Sequence, residues 1–200
     1  QQRNLALAIA AAVELRNIKN QIISSNISYN VSNIEVICNS SSYNITNAAI
    51  EEGIAGIAWP GRLEFLPPNL LLDVAHNPAG ARALRAAIAT LPQQRPRTLI
   101  FSCLRDKDLT EMARTLFPLF DSGAGRPHDH IVFAPIENPR AASMDALLHT
   151  ARVLNIRAHA THDANEALTL ARRLTPAHGV IVATGSIYLV GAVREAVLEP

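Results

Sequence analysis

The chain has 200 residues, of which 48% are apolar and 18% charged, and a formal net charge of +1. That balance gives no electrostatic case for nucleic acid or an anionic membrane surface as a partner. Cys38 and Cys103 stand far apart in segments of different character, so neither a disulfide framework nor a CxxC metal site is indicated, and a reduced cytoplasm fits. No apolar run approaches the roughly 20 residues of a spanning helix, and the start carries no signal-peptide pattern.

From Gln1 to Ile18, Leu5, Ile9, Ala12 and Val13 recur at helical spacing while Arg3, Glu14 and Arg16 fall off that face, which predicts an amphipathic helix. An opening directly into a helix reads as a chain cut from something longer. Residues 20–47 differ in kind: half are Asn or Ser, six are Ile, and Glu35 is the one charged side chain. Such a tract offers too little apolar surface for a core element and is expected to be an inserted surface loop. Its sequons at Asn26, Asn30, Asn39 and Asn44 are the chance product of that composition. Helical character returns over 47–58, with Thr46 or Asn47 as the cap.

The next stretch, Trp59 to Pro78, reads WPGRLEFLPPNLLLDVAHNP. Trp-Pro-Gly-Arg is a rigid corner ending in a guanidinium, placed where composition changes and a domain boundary is expected. Leu70 to Leu72 suit a strand buried on both faces. Asn77 then offers an N-cap oxygen, and Pro78 sits at the first helical position, where its missing N–H costs nothing. Asp73 and His76 therefore fall in the crevice between a strand end and a helix start, where open α/β sheets bind ligands.

Beyond the corner, strands are predicted at 63–66, 70–73, 98–102, 130–134, 156–160 and 180–184. Helices are predicted at 78–90, 108–120, 143–154, 164–174 and 186–198. This rhythm specifies an α/β fold, a mostly parallel sheet with helices on both faces. All parallel strands end on one edge, so the residues that follow them gather on one rim: Asp73 to Asn77, Ser102 to Asp108, Pro135 to Arg140, and Thr184 to Ser186. On that rim Arg62 supplies a planar fork suited to phosphate, with a surface ion pair to Glu64 as the competing role. Asp73 can accept two hydroxyl hydrogen bonds or cap a helix. His76 and Asn77 can orient an anionic group at a helix start, and Gly185-Ser186 can grip a carboxylate or simply cap the last helix. Lys107, one of two lysines, is a flexible ammonium between Asp106 and Asp108. His128, His130, His159 and His162 lack a closing ligand set, so no metal site is assigned.

WPGRLE, LLLDVAHNP and GSIYLVGAVR, in that order, resemble folylpolyglutamate synthase and dihydrofolate synthase of the Mur ligase superfamily. The family pattern has Gly where this chain has Val74. The resemblance implies a Rossmann-like C-terminal domain at 59–200. It also implies that 1–58 are the last helices of a central ATPase domain, with Gln2 and Asn4 at their polar start. The implied activity is ATP-dependent addition of L-glutamate to a folate or dihydropteroate carboxylate through an acyl phosphate, in a cytoplasmic monomer. ATP and Mg²⁺ would be held mainly by the central domain, because no GxxxxGK[ST] loop occurs in these 200 residues. Arg62 and Asp73 would contact ATP, His76 and Lys107 would assist the reaction, and Asn77 and Ser186 would bind substrate. Two other readings stay open: a cell-wall or cyanophycin-type ligase of the same superfamily, and a non-catalytic nucleotide-binding module.

Overall fold

The computed structural model describes residues 46–56, 59–92, 94–123 and 125–198. The helix expected at 1–18, with Gln2 and Asn4, and nearly all of the Asn/Ser-rich tract lie outside those residues. The chain divides into two units, residues 1–58 and 59–200. The described part of the first is one helix, α1 (Asn47–Ala55). Thr46 caps it, its Oγ1 accepting from Ala49 N at 3.0 Å and its carbonyl from Ile50 N at 3.1 Å.

The second unit alternates strand and helix. Its elements are β1 (Arg62–Leu66), β2 (Leu70–Asp73), α2 (Pro78–Ala89), β3 (Arg97–Phe101), α3 (Leu109–Leu116), β4 (His130–Phe133), α4 (Met144–Val153), β5 (His159–Ala160), α5 (Ala164–Leu174), β6 (Val180–Thr184) and α6 (Ile187–Leu198). They build a six-stranded sheet in the order β1-β2-β6-β3-β4-β5. Only the β1–β2 pair is antiparallel. The strands read as unbroken apolar runs because successive residues enter different cores, each lined by helices. Leu99, Phe101, Ile131, Phe133, Val180 and Val182 pack with α2, α3 and α4. Leu70, Leu72, Ile100, Val132, Ile181 and Ala183 pack with α5 and α6.

Two expected elements are shorter than their patterns. The helix expected over 108–120 ends at Leu116 and tightens into a 3₁₀ turn over Phe117–Phe120. Pro118 has no N–H to continue the ladder, and its ring would meet the carbonyl one turn back. The turn delivers Phe117 and Phe120 into the core, where Phe117 meets Phe101 edge-on at a centroid distance of 5.3 Å. The strand expected over 156–160 keeps only His159–Ala160. Asn155 takes φ +56 and ends α4 in a left-handed cap, with Asn155 N donating to Arg152 O and Ile156 N to Ala151 O. This is the Schellman pattern, and it spends Ile156 on closing the helix and filling the core. No helix among the described residues is long and apolar enough to cross a membrane.

Candidate functional site

The carboxyl-terminal edge of the sheet collects the loops after β2, β3, β4 and β6. The Trp59–Arg62 corner is a β-turn with Arg62 N donating to Trp59 O at 3.1 Å. Pro60 holds the second position, and Gly61 at φ +68 meets the positive φ that a type II turn requires at the third. A side chain on Gly61 would stand 3.1 Å from both Val74 and Val190. Gly61 O accepts from Val74 N at 2.8 Å, which ties the corner to the loop after β2. The register then places Arg62 opposite Asp73, beside a bulge between Arg62 and Glu64 where Leu63 adopts φ +50.

Arg62 is exposed, and among the described residues its guanidinium makes no hydrogen bond or ion pair. The expected alternative, pairing with Glu64, does not occur. Glu64 instead accepts from Gly61 N at 2.7 Å and lies 3.1 Å, through each oxygen, from Arg194 Nε. Arg194 is the functional-region residue that the sequence did not single out. Its partner lies 130 positions away, so no local spacing could pair them.

Asp73 is only 4% exposed. Its Oδ2 accepts from Leu63 N and its Oδ1 from Ala75 N, each at 3.0 Å, so the carboxylate organises the two backbone segments that flank the crevice. His76 is exposed, with Nδ1 2.9 Å from Val74 O. A carbonyl partner makes Nδ1 the donor, so Nε2 is the acceptor of the neutral ring. Asn77 caps α2, its side chain accepting from Gly80 N at 2.8 Å. Its Nδ2 stands 3.4 Å from His76 Nε2. Arg62, Asp73, His76 and Asn77 therefore share one end of β2.

Ser186 sits at the start of α6, two residues after Thr184, the β6 residue that pairs with Asp73. It is 2% exposed, and its Oγ accepts from Tyr188 N at 3.2 Å while its carbonyl takes the first helical bond, from Val190 N. The capping role is thus occupied. Tyr188 remains 44% exposed at the same helix start. Thr184 Oγ1 and Ser102 Oγ, at the ends of β6 and β3, are buried with no hydrogen-bond partner.

Lys107 stands on the loop after β3, paired with Asp106 at 3.0 Å. That hydrogen bond holds the Asp106 carboxyl below the usual carboxylate range. Among the described residues no bond links Lys107 to Arg62, Asp73, His76 or Ser186. Its loop is fastened to the one after β4, Arg105 N donating to Arg140 O and Ala142 N to Cys103 O. Burial, then the Asp106 charge, push the Cys103 thiol up to about 12, so it is no nucleophile. Among the described residues no three His, Cys, Asp or Glu side chains converge on a point that could hold a metal ion.

The chain matches known proteins along the same elements. The folylpolyglutamate synthase of Lacticaseibacillus casei is 30% identical over 204 residues, covering 99% of this chain and 38% of the relative. The crystal structure of Mycobacterium tuberculosis folylpolyglutamate synthase complexed with ADP and AMPPCP superposes with a TM-score of 0.66 at 29% identity, over 78% of this chain and 36% of that one. The bifunctional folylpolyglutamate synthase/dihydrofolate synthase of Yersinia pestis, complexed with AMPPNP and a Mn ion, gives 0.65 at 29%, over 78% and 35%. The chain thus spans little more than a third of the length of these relatives. The model of the Mur ligase, glutamate ligase domain matches residues 61–187, from the Gly61 corner to the first turn of α6. By that match, over the elements that carry the site, the chain belongs to the family of Mur ligase, glutamate ligase domains.

Proposed function

We propose that this chain is the C-terminal part of an ATP-dependent ligase that adds L-glutamate to a folate or dihydropteroate carboxylate, working in the cytoplasm with a central ATPase domain of the same protein. The observation that carries the reading is Arg62: an exposed guanidinium without a partner among the described residues, on a corner whose backbone is bonded on both sides. A planar cation with its donors free, carried on a fixed backbone corner, is a group that fits a phosphate. The relatives' structures hold ADP, AMPPCP, AMPPNP and Mn, which supports a nucleotide as the phosphate donor of the complete protein.

ATP, when bound, would transfer its terminal phosphoryl group to the carboxylate and leave as ADP, and the glutamate amine would displace that phosphate to form the amide. This chain's part in that reaction is positional and electrostatic. Arg62 clamps phosphate and offsets its charge. Asp73 keeps the corner and the β2 loop in register, so that Arg62 is carried at the edge of the crevice. His76 Nε2, the acceptor of the neutral ring, exchanges its 3.4 Å contact with Asn77 Nδ2 for a hydrogen bond from the incoming amino acid's amine, and the Asn77 amide so released binds substrate. Lys107 and the α6 start at Ser186 place the glutamate carboxylates, Ser186 through the N–H groups its cap orders. No residue here forms a covalent bond to substrate; holding two reactants in place is itself worth several kcal/mol of barrier, on the order of 7–11 in well-oriented systems. The sequence carries no GxxxxGK[ST] phosphate loop, so the reading gives the triphosphate and its Mg²⁺ mainly to the central domain.

The test is ATP-dependent incorporation of labelled L-glutamate by the complete protein that carries this chain. Folate and dihydropteroate acceptors would be compared with UDP-linked peptides and a cyanophycin primer. Incorporation into the pterin acceptors is expected, and incorporation only into the others would overturn the folate assignment. The 200-residue chain alone is expected to show no magnesium-dependent ATP hydrolysis.

A further inference from the structure

We propose that Glu64 and Arg194 are positioning residues that hold the Arg62 corner ready for phosphate; this rests on Arg62 binding phosphate as proposed above. Four backbone groups at and beside Arg62 are engaged. Arg62 N bonds Trp59 O, Gly61 O accepts from Val74 N, Leu63 N donates to Asp73 Oδ2, and Gly61 N donates to Glu64 Oε2 at 2.7 Å. The last of these bonds is supported from outside the corner, because Arg194 Nε lies 3.1 Å from both Glu64 oxygens. One carboxylate thus joins the corner to α6.

Helix geometry gives that joint a direction. Ser186, Val190 and Arg194 are spaced four apart, so they lie along one stripe of α6. Ser186 opens the helix beside the end of β6, Val190 lies 3.1 Å from where a Gly61 side chain would begin, and Arg194 grips Glu64. The helix start proposed for glutamate and the corner proposed for phosphate are therefore two ends of one rigid connection. The ion pair is partly open to solvent, with side-chain exposures of 36% for Arg194 and 17% for Glu64. At that exposure it adds little to stability, and its main effect is geometric. Leu63 at φ +50 points the same way, because a non-glycine residue stays there only where its surroundings over-determine the backbone. A corner fixed beforehand spares phosphate binding the loss of loop freedom.

The experiment is a double-mutant cycle in the complete ligase, with Arg62→Ala, Arg194→Met and both together, and Glu64→Gln as a second probe of the same joint. Arg194→Met is expected to lower kcat/KM for ATP about 5- to 20-fold, to be partly rescued by Arg194→Lys, and to cost less than twofold when Arg62 is already Ala. Amide exchange at Gly61 and Val74 should quicken about tenfold, with β3 and β6 unchanged. If Arg62→Ala leaves kcat/KM intact, the phosphate reading itself fails and the pair's role with it. If Arg62→Ala is damaging but Arg194→Met is silent, or multiplies in full on top of it, the phosphate reading stands and the positioning role is overturned.

Discussion

Replacing Gly185 by alanine should be the most damaging single-methyl change at the candidate site. Gly185 holds φ +103, a conformation whose cost for a residue with a side chain is of order 1–3 kcal/mol. The new Cβ would overlap Ser102 O and lie 2.6 and 2.9 Å from carbons of the Phe101 ring. Neither neighbour can retreat. Phe101 is fully buried against Phe117 and Phe133, and its backbone is paired with Thr184, the residue before Gly185. Overpacking of that kind costs a further ~1–3 kcal/mol. Together the effects come to about 4 kcal/mol, or ~8–16 °C in Tm for a chain of this size. Gly191→Ala is the internal control: it lies within α6 with nothing within 4 Å of a built Cβ, so it should gain about 0.5–1 kcal/mol in helix propensity. Urea unfolding followed by circular dichroism measures both. A Gly185→Ala unfolding free energy within about 1 kcal/mol of wild type, or equal damage from the two substitutions, would refute the reasoning.

Arg62→Lys keeps the charge but loses the fork, and should lower kcat/KM for ATP about 10- to 150-fold in the complete ligase, from ~1.5–3 kcal/mol of lost charge-assisted bonding. Melting should not shift, because Glu64 is held by Arg194 and Gly61; steady-state kinetics that match wild type would remove Arg62 from the site. The Cys103 thiol, fully buried and raised to about 12, should resist alkylation at pH 8 until the chain unfolds, and rapid labelling of the native protein by mass spectrometry would contradict its placement. His130 sits low in its titration because of burial, then the like charges of His159 and His128. A depressed native value means that the unfolded state takes up the proton first. Stability is therefore intact above the ordinary histidine value of about 6.5 and falls as pH drops through it toward the native value. His130→Gln should flatten that part of the curve, and an unchanged slope in melts between pH 7 and pH 5 would count against it.

The alternation of apolar runs with helical spacing was enough to specify a mostly parallel sheet, because strands feeding two cores cannot expose a polar face and so appear as unbroken Leu, Ile and Val. The same local chemistry announced the crevice: Asn77 and Pro78 mark a helix start by their own capping and backbone properties, which put Asp73 and His76 at a strand end before any contact was known. Local signals were less reliable where a neighbour decided the outcome. The 3₁₀ turn at Pro118 was foreseeable from proline alone, but the shortness of β5 depended on Asn155 and Ile156 closing α4. Glu64 shows the limit most plainly. Sequence offers it Arg62 two residues away, whereas the fold gives it Arg194 across 130 positions and leaves Arg62 without a partner among the described residues. A pairing of that kind costs no local propensity and leaves no periodic trace, so only the packing of α6 against the corner could select it.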